Sequence, residues 1–270
     1  MDAAIARIGL IGLGKMGAPI ARHLVKAGFA VHGVDVNPAA LETARANKVE
    51  IAATPAQAAA KSDLIIVLTA YEHQVEEVIF GAHGVVEGAR PGAIVAVGAT
   101  INPATQRAMA KRLEAHGLVP LDIPICRGEG AAEAGKLLIT GGGDEAAFER
   151  CRPAFATFAD SVHLLGPAGA GQVGKMVNNL ILWACICANT EGFKLGEQYG
   201  VDLGAMRDML LESSAQNWAM TTQVDKQPMP WAEKDMMIVL SEADRLRLSL
   251  PLCGTVKEVI KGIKIARGET

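Results

Sequence analysis

Three glycines near the start of the chain have the spacing of a phosphate-binding turn. In the stretch RIGLIGLGKMGAPIA, Gly12, Gly14 and Gly17 follow an apolar strand-like run and precede a helix-like segment. In that setting the first glycine permits a tight turn, the second lets a pyrophosphate approach the backbone, and the third lets helix and strand pack closely. The alternative is an ordinary strand–helix turn. The pattern predicts that a dinucleotide binds to Gly12, Leu13, Gly14, Lys15, Met16 and Gly17.

An acidic residue stands where such a turn needs one. Asp35 ends the next strand-like run, about 20 residues beyond the glycines, where a carboxylate accepts hydrogen bonds from the adenosine ribose. It would repel a 2′-phosphate, and no arginine follows it in VDVNPAA. This favours NAD over NADP. The alternative is that Asp35 and Asn37 only shape a turn before Pro38.

A lysine and two asparagines precede the most apolar helical run of the chain. In GPAGAGQVGKMVNNLILW, Lys175 and Asn179 are four residues apart and share a helix face, and Asn178 lies beside it. Polar groups in this place are candidates for a site. The alternative is that they belong to a solvated first helical turn.

The segment DIPICRGEG at residues 122–130 combines a thiol with a guanidinium. Its glycines predict a loop whose backbone closely approaches another group. Cys126 is not expected to be a covalent nucleophile, because no histidine or other base is near it in the sequence. Its neighbours Arg127 and Gly128 are further candidates for contact with a ligand.

Hydrophobic periodicity indicates the elements that would position these groups. Up to about residue 165, short β-branched runs alternate with amphipathic segments, which predicts a mostly parallel sheet covered by helices on both faces. After Gly171 the strand-like runs stop and helical periodicity continues. We predict an α/β Rossmann-type N-terminal domain that binds NAD over residues 1–166. An all-α C-terminal domain for substrate binding and oligomerisation is predicted over residues 167–270.

Individual elements can be proposed within this plan. The predicted strands cover residues 8–11, 30–34, 49–51, 64–68, 93–97, 118–121, 137–140 and 162–165. The predicted helices cover residues 16–26, 71–80, 103–116, 144–158, 172–198, 203–213, 233–248 and 252–262.

Composition excludes several classes of partner. The 270 residues are 50% apolar and 20% charged, which is typical of a globular protein. The net charge of −3 and the sequence pI of about 6.1 give no basis for binding nucleic acid or an anionic membrane. The apolar run at 180–188 is too short to span a bilayer, and the N-terminus does not have the pattern of a signal peptide.

The cysteines and histidines predict neither disulfides nor a metal. The five cysteines are odd in number and form no C-x-x-C pair, so a disulfide framework or zinc site is not expected. The six histidines form no cluster with ligand spacing. This use of cysteine is typical of a reducing compartment, and we expect a cytoplasmic protein.

Four segments together resemble a known family. They are GLIGLGKMGAPIARHL, DIPICRGEGAAEAG, GAGQVGKMVNN and KDM at 234–236, in this order along the chain. They are similar to the β-hydroxyacid dehydrogenases, which include 3-hydroxyisobutyrate dehydrogenases and tartronate semialdehyde reductases. The resemblance implies a Rossmann domain that holds NAD(P) and a helical domain that closes the cleft and supports oligomerisation.

The resemblance also implies roles for single residues. Lys175 matches the catalytic general acid/base, and Asn179 matches a neighbour that orients the substrate, with Asn178 beside it. Further positions match contacts on the cofactor side of the site: Leu68, Thr69, Thr100 and Lys234.

The substrate segment departs from the family pattern. Where relatives usually have Ser-Gly-Gly, this chain has Cys126, Arg127 and Gly128. A thiol is a weaker hydrogen-bond donor than a hydroxyl, whereas a guanidinium is suited to carboxylates, sulfonates and phosphates. We therefore expect Arg127 to bind an anionic group of the substrate. The alternative is a surface ion pair with Glu129 or Glu133.

The sequence thus predicts an NAD-dependent oxidoreductase that transfers a hydride between nicotinamide and a small, anionic β-hydroxy acid or its semialdehyde. Two related enzymes remain alternatives, an imine reductase, which usually lacks this lysine, and a decarboxylating sugar-acid dehydrogenase, which has a larger helical domain. A non-catalytic dinucleotide-sensing module is the third alternative. The long apolar helix favours a homodimer or homotetramer.

Overall fold

The computed structural model describes residues 4–269, apart from the side chain of Asp225. The chain forms two compact units, of which the first ends at Lys175 and the second begins at Met176. The predicted assignment of cofactor binding to residues 1–166, and of substrate binding and oligomerisation to residues 167–270, stays a prediction.

The first unit contains a sheet in which parallel pairing dominates. Within the described residues its nine strands are Arg7–Ile11 (β1), Ala30–Val34 (β2), Glu50–Ile51 (β3), Leu64–Val67 (β4), Ile94–Val97 (β5), Val119–Asp122 (β6), Ile125–Cys126 (β7), Leu137–Gly143 (β8) and Ala159–Leu164 (β9). Their order is β3-β2-β1-β4-β5-β6-β8-β7, and β9 pairs with β8. Strands β1 to β6 pair in parallel, β8 is antiparallel to β6 and β7, and β9 is parallel to β8. The predicted Rossmann-type, mostly parallel sheet is confirmed.

Helices connect most of these strands and form the second unit. Along the described residues they are Gly17–Lys26 (α1), Pro38–Ala46 (α2), Pro55–Ala60 (α3), Glu72–Phe80 (α4), Val85–Gly88 (α5), Pro103–Ala115 (α6), Gly128–Ala134 (α7), Glu145–Phe155 (α8), Ala170–Gln198 (α9), Leu203–Leu211 (α10), Trp218–Thr222 (α11), Ala232–Leu246 (α12) and Pro251–Arg267 (α13), with a 3₁₀ turn at Val224–Lys226. The helix α9 begins in the first unit and continues in the second.

The central strands show why the sheet is covered on both faces. Strands β4 and β5 read LIIV and IVAV, and each of their residues is buried. Successive side chains point to opposite faces of a strand. Accordingly Leu64 and Ile66 belong to one hydrophobic core, whereas Ile65 and Val67 belong to a second one. Continuous apolar runs of this kind are typical of parallel strands buried on both faces.

The strand order marks where a ligand would bind. From β1 the chain proceeds outward through β2 and β3, and then returns to the other side of β1 as β4 and β5. In open α/β sheets, ligands bind beyond the carboxyl ends of the strands at such a reversal. The segments that leave β1 and β4 there are the glycine turn and Leu68–Thr69.

The second unit has a helical core. Side chains from α9, α12 and α13 meet in it, among them Trp183, Ile186, Met236 and Ile260. In contrast, α10 has no buried residue. No helix of the described chain is long and apolar enough to cross a membrane.

The prediction of a loop around the Cys-Arg pair is wrong for its second half. Helix α7 begins at Gly128 and includes Gly130. Glycine disfavours helix formation, so local propensity does not predict this helix. Two ion pairs connect it with the glycine turn and with α1. Lys15 pairs with Glu129 at 3.1 Å, and Arg22 pairs with Glu133 at 2.6 Å.

Candidate active site

The three glycines of the turn have different structural reasons to be glycine. Gly12 has φ +98°, and a Cβ there would lie 2.6 Å from the carbonyl oxygen of Leu68. A Cβ at Gly17 would overlap the carbonyl oxygen of Gly12. At Gly14 a Cβ would meet no atom within 4 Å. The protein's own packing therefore requires Gly12 and Gly17, whereas Gly14 faces open space where a pyrophosphate could approach the backbone.

Asp35 lies at the end of β2 and contacts this turn. Its Oδ2 accepts a hydrogen bond from the backbone N–H of Leu13 at 2.6 Å, and its Oδ1 accepts one from Asn37 at 2.8 Å. The next side chain, Val36, is 99% exposed. Asp35 and Asn37 thus make the contacts of a turn before Pro38, as in the alternative given for the sequence. The contact of Asp35 with ribose stays a prediction.

The segment after β4 provides an unused polar atom beside the turn. The backbone N–H of Leu68 donates to Ile11 at 2.8 Å, which aligns this segment with the end of β1. The hydroxyl of Thr69 is buried and has no hydrogen-bond partner among the described residues. A buried hydroxyl without a partner carries a free-energy cost that a ligand could remove. Together with the open face of Gly14, it makes this end of the sheet a fit for a dinucleotide.

Thr100 lies between two residues that bind the same side chain. Gln172 donates through Nε2 to the carbonyl oxygen of Ala99 at 2.8 Å and accepts through Oε1 from the N–H of Ile101 at 3.1 Å. Thr100 itself is half-buried. The loop after β5 is therefore attached to the first turn of α9.

The start of α9 is held by a buried carboxylate on β6. Asp122 accepts hydrogen bonds from the N–H of Gly169 at 2.7 Å and of Gln172 at 2.9 Å. Burial raises the pKa of Asp122, although these N–H groups favour its ionised form. A carboxylate in this position satisfies N–H groups that a helix leaves free at its N-terminus.

Lys175 follows Gln172 on the same helix. It is half-buried and is the last residue of the first unit. It is three positions beyond Gln172, which corresponds to about 4.5 Å along the helix axis. The Thr100 loop and the predicted acid/base are therefore connected through a single helical turn.

The Cys-Arg pair contacts other groups of the protein in this structure. Cys126 is buried on β7. Arg127 has a left-handed backbone (φ +83°) and donates from its guanidinium to Asp160 at 2.5 Å and to the carbonyl oxygen of Lys136 at 3.0 Å. Its partner is thus neither Glu129 nor Glu133. Binding of substrate by Arg127 stays a prediction and would require the guanidinium to leave Asp160.

The remaining predicted residues lie in the second unit. Asn179 is buried, and its Oδ1 accepts a hydrogen bond from the exposed Asn178 at 3.0 Å. Lys234, at the start of α12, lies with its ammonium 5.6 Å from the ring centre of Trp231. No cluster of three metal-binding side chains occurs within residues 4–269.

Two residues of this arrangement were absent from the predicted site. Gln172 and Asp122 lie within motifs of the sequence, but they are not among its predicted site residues. The available signals were weak: Asp122 is a lone acid after an apolar run, and Gln172 is a polar residue between glycines. Their partners lie far away in the sequence, so spacing alone could not indicate them.

Comparison with known proteins gives matches over nearly the whole chain. The family profile of the NAD binding domain of 6-phosphogluconate dehydrogenase matches residues 7–166. The profile described as NAD-binding of NADP-dependent 3-hydroxyisobutyrate dehydrogenase matches residues 169–269.

Individual relatives agree with these profiles. L-threonate dehydrogenase of Cupriavidus necator is 33% identical over 93% of this chain and 88% of its own. The 2-hydroxy-3-oxopropionate reductase of Escherichia coli is 30% identical over 94% of this chain and 89% of its own. The structure of Mycobacterium tuberculosis 3-hydroxyisobutyrate dehydrogenase with L-serine superimposes with a TM-score of 0.86 at 27% identity, covering 97% of this chain and 94% of that one.

Proposed function

The chain belongs to the β-hydroxyacid dehydrogenase family, and on that premise we propose that it interconverts a small anionic β-hydroxy acid and its semialdehyde, with NAD as the hydride carrier and Lys175 as general acid/base. As a member of this family it is a dinucleotide-dependent oxidoreductase of small hydroxy acids. The observation that carries the proposal is the connection of Lys175, through one turn of α9, to the Thr100 loop beyond β5.

The proposed site residues then have separate tasks. When bound, the nicotinamide exchanges a hydride with the carbinol or carbonyl carbon of the substrate. Lys175 donates a proton to the substrate oxygen in reduction and withdraws one in oxidation, and its ammonium stabilises negative charge that develops on that oxygen. Asn178 and Asn179 orient the substrate.

The dinucleotide is proposed to lie along the edge of the sheet at which β1, β2, β4 and β5 end. The backbone from Gly12 to Gly17 receives the pyrophosphate, and Asp35 receives the adenosine ribose. Leu68, Thr69 and Thr100 border the nicotinamide side, and Lys234 is proposed as a further cofactor contact. The negative charge of Asp35 opposes a 2′-phosphate, which supports NAD over NADP.

Substrate chemistry is proposed from the relatives and from the Cys-Arg pair. The relatives are named for L-threonate, 2-hydroxy-3-oxopropionate and 3-hydroxyisobutyrate, all of them small acids. In this chain the backbone of Gly128 and the thiol of Cys126 would contact the carboxylate. Because a thiol is a weak donor, an additional cation is useful, and Arg127 is the proposed one.

We also propose that copies of the chain associate in the cytoplasm as dimers or tetramers. No side chain of α10 is fully buried, and α9 leaves Val177, Ile181 and Leu195 exposed. Apolar side chains on one element in this number favour association. The five free cysteines favour a reducing compartment. Light scattering coupled to size-exclusion chromatography would measure the assembly, and a monomer would contradict it.

Turnover measurements test the proposed reaction. We would measure reduction of NAD and NADP with a panel of short hydroxy acids, including diacids and sulfonates, for the wild type and for Lys175→Met. The wild type should turn over at least one member, and the variant should lose about 10²–10⁴-fold in kcat while its Kd for NAD is unchanged. Lys194→Met, an exposed lysine on the same helix, is the matched control. No activity across the panel, or normal turnover in Lys175→Met, would contradict the proposal.

A further inference from the structure

We propose that Gln172 is a positioning residue, which fixes the Thr100 loop relative to Lys175 and so sets the geometry of proton and hydride transfer. The inference rests on the proposed function, because Lys175 and Thr100 have their roles only in that reaction. Gln172 itself was assigned no role by its sequence context, and its side chain is 1% exposed.

The contact of Gln172 with the loop is a two-point contact. Its amide donates to the residue before Thr100 and accepts from the residue after it, in the way that an adjacent strand would. With the backbone fixed at both Ala99 and Ile101, the loop has little freedom to move Thr100 along or away from the sheet. With a single hydrogen bond the loop could rotate about that bond, whereas two hydrogen bonds to one planar amide fix its orientation.

The backbone of Gln172 is also held by hydrogen bonds. Its backbone N–H donates to Asp122, and the neighbouring Gly171 accepts a hydrogen bond from the hydroxyl of Thr140 at 3.0 Å. A Cβ at Gly171 would lie 2.8 Å from the carboxylate of Asp122, so the helix start is packed closely on β6 and β8. Gln172 therefore connects two rigid elements, the end of the sheet and the first turn of α9.

A second buried glutamine shows that this contact is not a general consequence of burial. Gln106, on α6, is 0% exposed, yet neither its Nε2 nor its Oε1 has a hydrogen-bond partner among the described residues. The two glutamines have the same side chain and comparable burial, and both lie in the first unit. They differ in whether the amide connects two elements. Gln106 is therefore the matched control for Gln172.

The test compares Gln172→Met, Gln172→Glu and Gln106→Met with the wild type and with Lys175→Met. Methionine keeps the side-chain volume but removes both hydrogen bonds, and glutamate keeps the acceptor for Ile101. We expect Gln172→Met to lose about 10²-fold in kcat, the scale of a small misplacement of reacting groups, with the Kd for NAD unchanged. Gln172→Glu sets a carboxylate oxygen against the carbonyl oxygen of Ala99, so it should lose at least as much kcat, and it provides a second variant if the methionine variant does not fold.

Amide hydrogen exchange gives a readout that does not depend on activity. The Ile101 N–H should exchange faster in Gln172→Met and should keep its wild-type rate in Gln106→Met and Lys175→Met. Unchanged exchange at Ile101, unchanged kcat, or equal losses from Gln172→Met and Gln106→Met would overturn the inference. If the wild type turns over no hydroxy acid, the proposed function fails, and the exchange measurement alone decides whether Gln172 holds the loop.

Discussion

The carboxylate of Asp35 accepts a hydrogen bond from the backbone N–H of Leu13 at 2.6 Å, so the end of β2 holds the glycine turn that follows β1. The same carboxylate accepts from Asn37 at 2.8 Å. An ionised carboxylate offers about four lone-pair sites. Asp35 can therefore maintain the turn and still accept hydrogen bonds from a ribose.

Changing Asp35 should change the choice of cofactor. Asp35→Asn removes the negative charge and weakens hydrogen bonds to a ribose. Because a hydrogen bond to a charged group contributes about 1.5 kcal/mol or more, the Kd for NAD should rise about 10-fold. Adding Val36→Arg should make NADP the tighter ligand, since a guanidinium binds a 2′-phosphate. Isothermal titration with both cofactors measures this.

Val36→Ala is the control for that experiment, because Val36 is almost fully exposed. It should leave both Kd values unchanged. An Asp35→Asn variant with the wild-type preference for NAD would show that the carboxylate only shapes the turn.

Two glycine substitutions should separate folding from cofactor binding. Gly17→Ala places a Cβ against the carbonyl oxygen of Gly12 and should unfold or strongly destabilise the protein. Gly14→Ala meets no protein atom, so its melting temperature should be unchanged, whereas its affinity for NAD should fall because the Cβ occupies the approach of the pyrophosphate. Thermal unfolding and NAD titration on both variants make the comparison. Full NAD affinity in Gly14→Ala would contradict the assigned turn.

The sequence predicts those elements well that depend on local pattern. Strand β2 was predicted at residues 30–34 and has those bounds, because a β-branched run there is bounded by turn residues. Strand β7 has only two residues and exists through its pairing with β8, a contact that local pattern does not encode. Helix α7 contains two glycines, but its Ala132 is buried in the core, and its glutamates pair with Lys15 and Arg22. Tertiary contacts override propensity in both places.

The candidate site likewise contains residues that the sequence predicts and contacts that it does not. The sequence predicts the glycine turn, Asp35 and Lys175, because the chemistry and spacing of each belong to a local motif. The bonds of Gln172 join it to Ala99 and Ile101, which are 73 and 71 residues away. The partner of Arg127, Asp160, is 33 residues away. A single sequence contains no signal for pairs at such distances.

The pair of Arg127 and Asp160 gives a test of substrate binding by the guanidinium. If Arg127 leaves Asp160 to bind an anionic substrate, the ion pair competes with that substrate. Asp160→Asn should then lower KM, and Arg127→Ala should raise it, with kcat changed little in both variants. Steady-state kinetics on the best substrate of the panel measures these values.

Comparison of Arg127→Gly with Arg127→Ala measures the cost of the left-handed backbone at this position. Both remove the guanidinium, but glycine also removes the cost of a left-handed backbone, which is roughly 1–2 kcal/mol. The glycine variant should therefore unfold at a higher denaturant concentration than the alanine variant. Unchanged KM in Asp160→Asn and Arg127→Ala would restrict Arg127 to a structural role.

Because of Asp63, the free energy of unfolding should depend on pH in the acid range. Its carboxylate accepts hydrogen bonds from the N–H of Arg7 at 3.0 Å and from the guanidinium groups of Arg7 at 2.7 Å and Arg90 at 2.8 Å. These donors hold the pKa of Asp63 well below its usual range, against the opposing effect of burial. A lowered native pKa means that the ionised carboxylate stabilises the fold above the unfolded pKa of about 3.9. That stabilisation is lost as the pH falls through the lower native value.

Asp63→Asn should accordingly be less stable than the wild type at pH 7, by about 1–2 kcal/mol for hydrogen bonds to a charged group near the surface. The difference should shrink as the pH falls below about 3.9, because the unfolded wild type then binds a proton that the native Asp63 carboxylate does not, whereas asparagine binds none in either state. Urea unfolding of both proteins across this range measures the difference, and Asp208→Asn, at an exposed aspartate, is the control. A difference between wild type and Asp63→Asn that stays constant from pH 7 into strong acid would contradict the electrostatic origin.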